Sequence, residues 1–473
     1  MRDTRGLAVG LAGALLALPT LAGAAVPEGT SAAPGADGIG DPYFPLDGNG
    51  GIDVRRYSVH DDYDFATGRL HGWTRVTLRA TADLSSLNLD FLLPVTDVTV
   101  GGSPAAFSRP TPHELTITPA APVPRGGTVD VVVTYDGFPA DHSYAGESNW
   151  LADGGEVVAM NQPHMAPWWF PANDHPRDKA RMAFHITVPT GNQVIVNGRP
   201  VGQDVGAVTT TWHWRATEPM APYLAFFAAG RFTVERGRAD GRPWLLAVSN
   251  GLSPASRAES LIFLRRTPSV VHWLEGELGR YPFDTTGGLV TSLDPGFALE
   301  NQTRPTYPAV GSGAVLLLVH ELAHQWFGDS VAVRRWRDIW LNEGLATYLE
   351  VRWTETHGGT PAARWLRQEY DARPASSGFW KLSISDPGPA HLFDFPVYQR
   401  GAMAIQALRK RIGPADLRVL LRTWARTHAG DDGSTPEFRR LAERVSGQRL
   451  GGFFDAWLDA TRRPADTAAN GLG

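Results

Sequence analysis

One spaced set of side chains constrains this chain more than any other feature: His320, Glu321 and His324 in the run His-Glu-Leu-Ala-His, followed by Glu343 in Trp-Leu-Asn-Glu-Gly. The first run lies in AVLLLVHELAHQWFG, whose apolar character predicts a buried helix over residues 314–327 with Gly328 as its stop. Residues four apart on a helix lie about 40° apart around its axis, so both imidazoles point the same way and can share one ion. Glu321 sits about 100° from His320, beside such an ion rather than on it. Two histidines leave a catalytic zinc short of a ligand, because such sites commonly have three protein ligands and a water. Glu343 is the candidate third. Eighteen residues separate it from His324, enough to finish one helix, turn, and begin a second that faces the first. An isolated histidine pair on an apolar helix is more simply a pair of core residues, and the correctly spaced Glu343 argues against that here.

The chemistry follows from charge. A zinc ion held by two neutral histidines and one carboxylate stays net positive, so it acidifies water and polarises a carbonyl oxygen. Glu321 is then placed to take the water's proton and return it to a leaving amine. Histidine and carboxylate ligands accept several divalent metals, and the tetrahedral expectation favours zinc, one per chain.

At 473 residues, with 42% hydrophobic and 20% charged side chains, the chain exceeds what one core usually organises and is ordinary globular material. A net charge of -5 supplies no basic field for phosphate backbones and argues against nucleic acid as the main partner. The absence of cysteine excludes disulfides, thiolate ligands and cysteine nucleophiles. Residues 1–24 carry Arg2 and Arg5, an apolar run, Pro19 and the small residues Ala22, Gly23 and Ala24, the pattern of a secretory signal peptide cleaved after about Ala24. No second stretch of spanning length follows, so stable membrane insertion is not expected, and the mature chain is expected to be extracellular and monomeric.

Residues 25–40 are rich in Gly, Ala, Ser and Pro, as in an extended leader. From 41 to 232 the period is two, as in residues 74–79 and 129–134, which predicts a β-sandwich domain. From about Ser253 the period becomes helical. Thr360-Pro361 and Thr435-Pro436-Glu437 mark helix starts, and a catalytic domain over 233–463 is expected, with a disordered polar tail at 464–473. The fold class is therefore α+β and multidomain, an N-terminal β-sandwich followed by a mostly α domain.

The two zinc segments, residues 320–328 and 340–344, resemble the M1 family of metallo-aminopeptidases, and the similarity, closest to short secreted actinobacterial members, extends over nearly the whole mature chain. The resemblance implies a β-rich N-terminal domain, a thermolysin-like catalytic domain, one Zn2+ and removal of N-terminal residues from peptide substrates. It implies that Tyr398, in VYQRGA, donates a hydrogen bond to the tetrahedral oxyanion. In GFALEN it makes Ala298, Glu300 and Asn301 part of the exopeptidase motif, with Glu300 binding the substrate amine. Phe297 and Leu299 stand where the family has glycine and methionine. Gln162 matches the family's Gln-x-Glu segment, but His164 occupies the glutamate position, which leaves Glu300 to bind the amine largely alone and keeps an endopeptidase reading open. A catalytically silent secreted binding protein is the other reading. Asp329, Asp338 and Glu350 are candidate partners for the ligand histidines. Trp168 and Trp169 belong either to the cleft or to the core.

Overall fold

Alternating apolar and polar residues put every second side chain on one face of a strand, and the computed structural model of the chain builds its first part from such strands. The structure describes residues 6–8, 10 and 32–473; apart from 6–8 and 10, the signal-peptide segment 1–24 and the leader up to 31 lie outside the described residues. Eight strands form one sheet in the order Arg199–Val205, Thr209–Met220, Ala180–Pro189, Ile52–Asp64, Arg69–Ala80, Thr128–Gly137, Val95–Val100 and Ser103–Pro104. Within it Val54 stands opposite Leu78 and Tyr57 opposite Val76, and all four are fully buried. Their neighbours run antiparallel except where Ala180–Pro189 lies parallel to Ile52–Asp64.

Two further four-stranded sheets complete the β-rich part. One contains Leu84–Asp90 and Glu114–Thr118, and also Ala33–Pro34, which joins Leu84–Asp90 in parallel. The last residues of the leader are thus held in a sheet by backbone hydrogen bonds.

From Phe232 onward a separate sheet runs Phe232–Ala239, Arg242–Ser249, Thr286–Val290, Thr306–Tyr307. The helices around it are α1 (Pro254–Leu264), α2 (Thr267–Leu278), α3 (Val315–Ala323), α4 (Trp340–Thr356), α5 (Ala362–Asp371), α6 (Phe395–Ile412), α7 (Pro414–Thr427) and α8 (Thr435–Ser446). Helix α1 begins where the period changes, with the Ser253 side chain accepting from the Ser256 N–H. At α8 the N-cap is Ser434, one residue before the expected Thr435, because the Ser434 N–H donates to Glu437. One apolar cluster runs through both parts, including Val54, Leu246 and Trp457. Trp168 and Trp169 are fully buried within it.

The crossing of α4 and α6 matters most for function. A Cβ on Gly344 would stand 2.8 Å from the Gly401 Cα, and one on Gly401 would stand 2.7 Å from the Gly344 Cα. The two helices therefore touch backbone to backbone, which draws Glu343 and Tyr398 together.

Residues 464–473 depart from the expected disorder. The Tyr370 hydroxyl donates to the Pro464 carbonyl at 2.7 Å and the Trp457 indole to the Asn470 carbonyl at 3.0 Å. Leu472 is buried against the core. Two aromatic donors that need acceptors, together with one apolar anchor, outweigh the polar composition of the segment. Among the described residues no helix is long and apolar enough to cross a membrane.

Candidate active site

Helix α3 carries His320 and Glu321 in its last turn and ends at Ala323 rather than at 327. The chain then tightens into a turn, with the Gln325 N–H on the Leu322 carbonyl and the Asp329 N–H on the His324 carbonyl. This early exit turns the Phe327 carbonyl back to accept from His324 Nδ1 at 3.0 Å. On the other ligand, His320 Nδ1 donates to Glu350 Oε1 at 2.7 Å, so Glu350, on α4, is the carboxylate partner. Asp338 instead accepts from the Thr435 N–H. The Asp329 carboxylate is buried with no partner of its own.

With each Nδ1 occupied as a donor, both Nε2 atoms are free to act as ligands. They stand 3.4 Å (His320) and 3.3 Å (His324) from Glu343 Oε2. Ligand atoms about 2.0–2.1 Å from a tetrahedral zinc lie about 3.3–3.4 Å from one another, the spacing Glu343 Oε2 makes with each histidine, and the ligand atoms of all three residues lie within 4.8 Å of one another. Electrostatics agree. Burial acts to raise the Glu343 carboxyl, but His324 and His320 hold it down at about 2. Burial lifts Glu321 to about 7, against the pull of the same histidines, which suits a group that must accept and return a proton near neutrality.

Around these groups lies a cavity of about 410 Å³ lined by Gln162, Phe297, Ala298, Glu300, Leu317 and Tyr398 together with the zinc residues. The Tyr398 ring lies nearly parallel to that of His320, with centroids 5.9 Å apart. Burial, reinforced by Glu343, Glu300 and Glu321, holds its hydroxyl well above the ordinary range, so it stays protonated and able to donate. A larger cleft of about 890 Å³, lined by Leu278, Phe283 and Val419 among others, contains none of the zinc residues, and the chemistry belongs to the smaller one.

Glu300 is buried, and its Oε1 accepts from Gln162 Nε2 at 3.0 Å and from the Tyr223 hydroxyl at 3.3 Å. The Glu300 carbonyl accepts from Gln325 Nε2 at 3.1 Å. Tyr223 and Gln325 were not singled out in the sequence. Gln325 had a signal, its place immediately after His324; Tyr223 had none. Leu299 is buried in a backbone bridge with Thr306, so its replacement of methionine does not alter the cavity wall. Phe297 does, standing 41% exposed at the lining. Asn301 is fully buried, outside the lining, and donates to the Leu224 carbonyl at 3.2 Å.

His164 does not face the cavity. Its side chain is 1% exposed, with Nε2 2.6 Å from Asp47 Oδ2 and Nδ1 3.3 Å from Glu147 Oε1. The rings of Phe44 and Tyr144 pack edge-on against it. It is a buried ion-pair centre outside the cavity lining, neither a ligand nor a contact for substrate.

Comparison with known proteins agrees with this geometry. Residues 297–457 match the peptidase family M1 domain. The chain is 24% identical over 351 residues to Aminopeptidase M1-C of Oryza sativa subsp. japonica, covering 68% of this chain and 38% of the relative. It is 27% identical over 328 residues to Aminopeptidase RNPEPL1 of Homo sapiens, covering 63% and 43%. The chain thus spans about two fifths of the length of these curated relatives. A crystal structure of an M1 zinc metallopeptidase mutant from Deinococcus radiodurans, bound to a Tyr-Ser-Ala substrate, superposes with a TM-score of 0.81 at 25% identity. That match covers 90% of this chain and 99% of that one. The α+β architecture, with a β-rich N-terminal part and a helical second part, is that of two-domain M1 metallopeptidases. Together these similarities set the chain beside M1 zinc metallopeptidases in sequence and fold.

Proposed function

We propose that this chain is an exported aminopeptidase of the short two-domain type, releasing residues one at a time from the free amino end of peptides. The observation that carries the reading is the position of Glu300. Its carboxylate, that of Glu321 and a ring nitrogen of His324 all lie within 4.8 Å of one another. In a peptide the amino nitrogen and the carbonyl carbon of one residue are about 2.5 Å apart. An ammonium on Glu300 therefore brings only the first peptide bond to Glu321. Export is supported by the charged, apolar and small-residue pattern of residues 1–24.

A zinc ion held by His320, His324 and Glu343 supplies Lewis acidity that polarises the scissile carbonyl and acidifies water. Glu321 takes the proton of the attacking water on its carboxylate and gives it to the departing amine. Tyr398 donates its hydroxyl hydrogen to the oxygen that gains charge. Gln162 and Tyr223 hold Glu300 in place, so the ammonium meets a fixed anion. The test compares a short peptide bearing a free amino terminus with its N-acetylated form, each with wild type and Glu321→Gln. Stepwise release from the free peptide alone, lost in the variant, is expected; cleavage of both peptides would replace this reading with an endopeptidase.

A further inference from the structure

A second buried cluster lies in the β-rich part, outside the cavity. Asp90 and Glu114 are directly opposite one another on paired antiparallel strands, and His113 precedes Glu114. The three side chains are essentially enclosed, at 0%, 2% and 1% exposure for Asp90, His113 and Glu114. One ligand-capable atom from each lies within 4.8 Å of the others. None of these atoms is satisfied from within the protein. Asp90 Oδ1, both ring nitrogens of His113 and both carboxylate oxygens of Glu114 have no hydrogen-bond partner. His113 Nδ1 stands 3.7 Å from Asp90 Oδ1, beyond hydrogen-bond reach. Buried polar atoms are normally paired, and buried charges are paired or coordinate metals. Ionised carboxylates directly opposite one another across a strand pair repel, and a cation between them relieves that repulsion. The nearby imidazole of His164 is already committed to Asp47 and Glu147.

We infer that Asp90, His113 and Glu114 bind a second divalent cation, of the zinc and manganese class, in a closed structural site. The donor set selects the class: one imidazole with two carboxylates suits a borderline transition metal, whereas calcium and magnesium take shells of oxygen. Two carboxylates also neutralise the ion's double charge. Both ring nitrogens of His113 are without a hydrogen-bond partner and so open to ligation.

The site has a structural consequence for catalysis. Asp90 Oδ2 accepts the N–H groups of Gly48 at 3.1 Å and Asp174 at 2.6 Å. Asp90 thereby fastens the loop after the leader and the segment leading from Gln162. A cation on its other oxygen fixes that clamp.

The experiment isolates the new site by disabling the first. The full mature chain carrying His320→Ala and Glu343→Ala is loaded with Zn2+ or Mn2+, desalted, and its metal content measured by mass spectrometry beside wild type. About two equivalents are expected in wild type and about one in the double variant, and this last equivalent is lost when Glu114→Gln or His113→Ala is added. A double variant that retains no metal overturns the inference, as does an equivalent that survives both added substitutions. If the added substitutions prevent folding, melting of the double variant with and without chelator decides the matter. A lower melting temperature on chelation supports the site, and an unchanged one overturns it.

Discussion

Replacing His164 by glutamine should weaken the fold and leave amine recognition intact, although His164 occupies the position where the M1 family has an amine-binding glutamate. Burial by itself would depress this imidazole; Asp47 and Glu147 override it and hold it at about 10, against an ordinary value of 6.5. A tenfold change in proton affinity corresponds to about 1.4 kcal/mol, so the charged imidazole is stabilised in the fold by a net of about 5 kcal/mol at most, after the cost of its burial. Removing one partner of a buried ion pair costs about 3–5 kcal/mol, so the two routes agree. The sign is that of a base with a raised folded-state pKa. Its stabilisation is complete below pH 6.5 and is lost as pH climbs through about 10. Urea unfolding of wild type and His164→Gln, followed by tryptophan fluorescence, should show a gap of about 3–5 kcal/mol at about pH 6 that narrows towards about pH 10. KM for a free-amine peptide should change by no more than about twofold. A KM raised tenfold or more, with unchanged unfolding, would refute this reading and return His164 to the substrate site.

Three further substitutions test the active cavity. Glu350→Gln weakens the acceptor of His320 Nδ1–H and should lower zinc affinity, measured by chelator competition, about 10–100-fold. Tyr398→Phe should reduce kcat about 10²–10³-fold with little effect on KM, because its hydrogen bond forms only as charge develops on the oxyanion. Gly401→Ala places a Cβ 2.7 Å from the Gly344 Cα and should destabilise by about 1–3 kcal/mol in urea unfolding. It should also lower kcat, as α4 and α6 move apart.

Whatever depended on helical or strand period was legible in the sequence. The histidine pair could be placed because residues four apart on a helix share a face, and Glu343 because the interval suited a turn between two facing helices. The alternation along residues 52–80 shows strands, but not that Ala180–Pro189 lies parallel to Ile52–Asp64, a pairing made by distant chain segments. His164 was misleading for the same reason. Its partner Asp47 is 117 residues away, and no local pattern connects the two. Tyr223 stands 77 residues from the Glu300 it supports. Composition failed at the tail, where Leu472 and two carbonyls that satisfy aromatic donors decide the outcome. The glycine contact between α4 and α6 is equally hidden, since Gly344 and Gly401 have no local requirement for glycine and owe it to one another.

The central claim is that Glu300 makes this site an aminopeptidase, and it is tested most directly by kcat/KM for free and N-acetylated peptides with wild type and Glu300→Gln, both loaded with zinc. Losing a buried charge partner costs about 2–5 kcal/mol, so the preference for the free amine should fall about 30-fold or more, while the zinc content stays at the wild-type level. A preference unchanged by the substitution would contradict the account, since the amine would then be held by some other group.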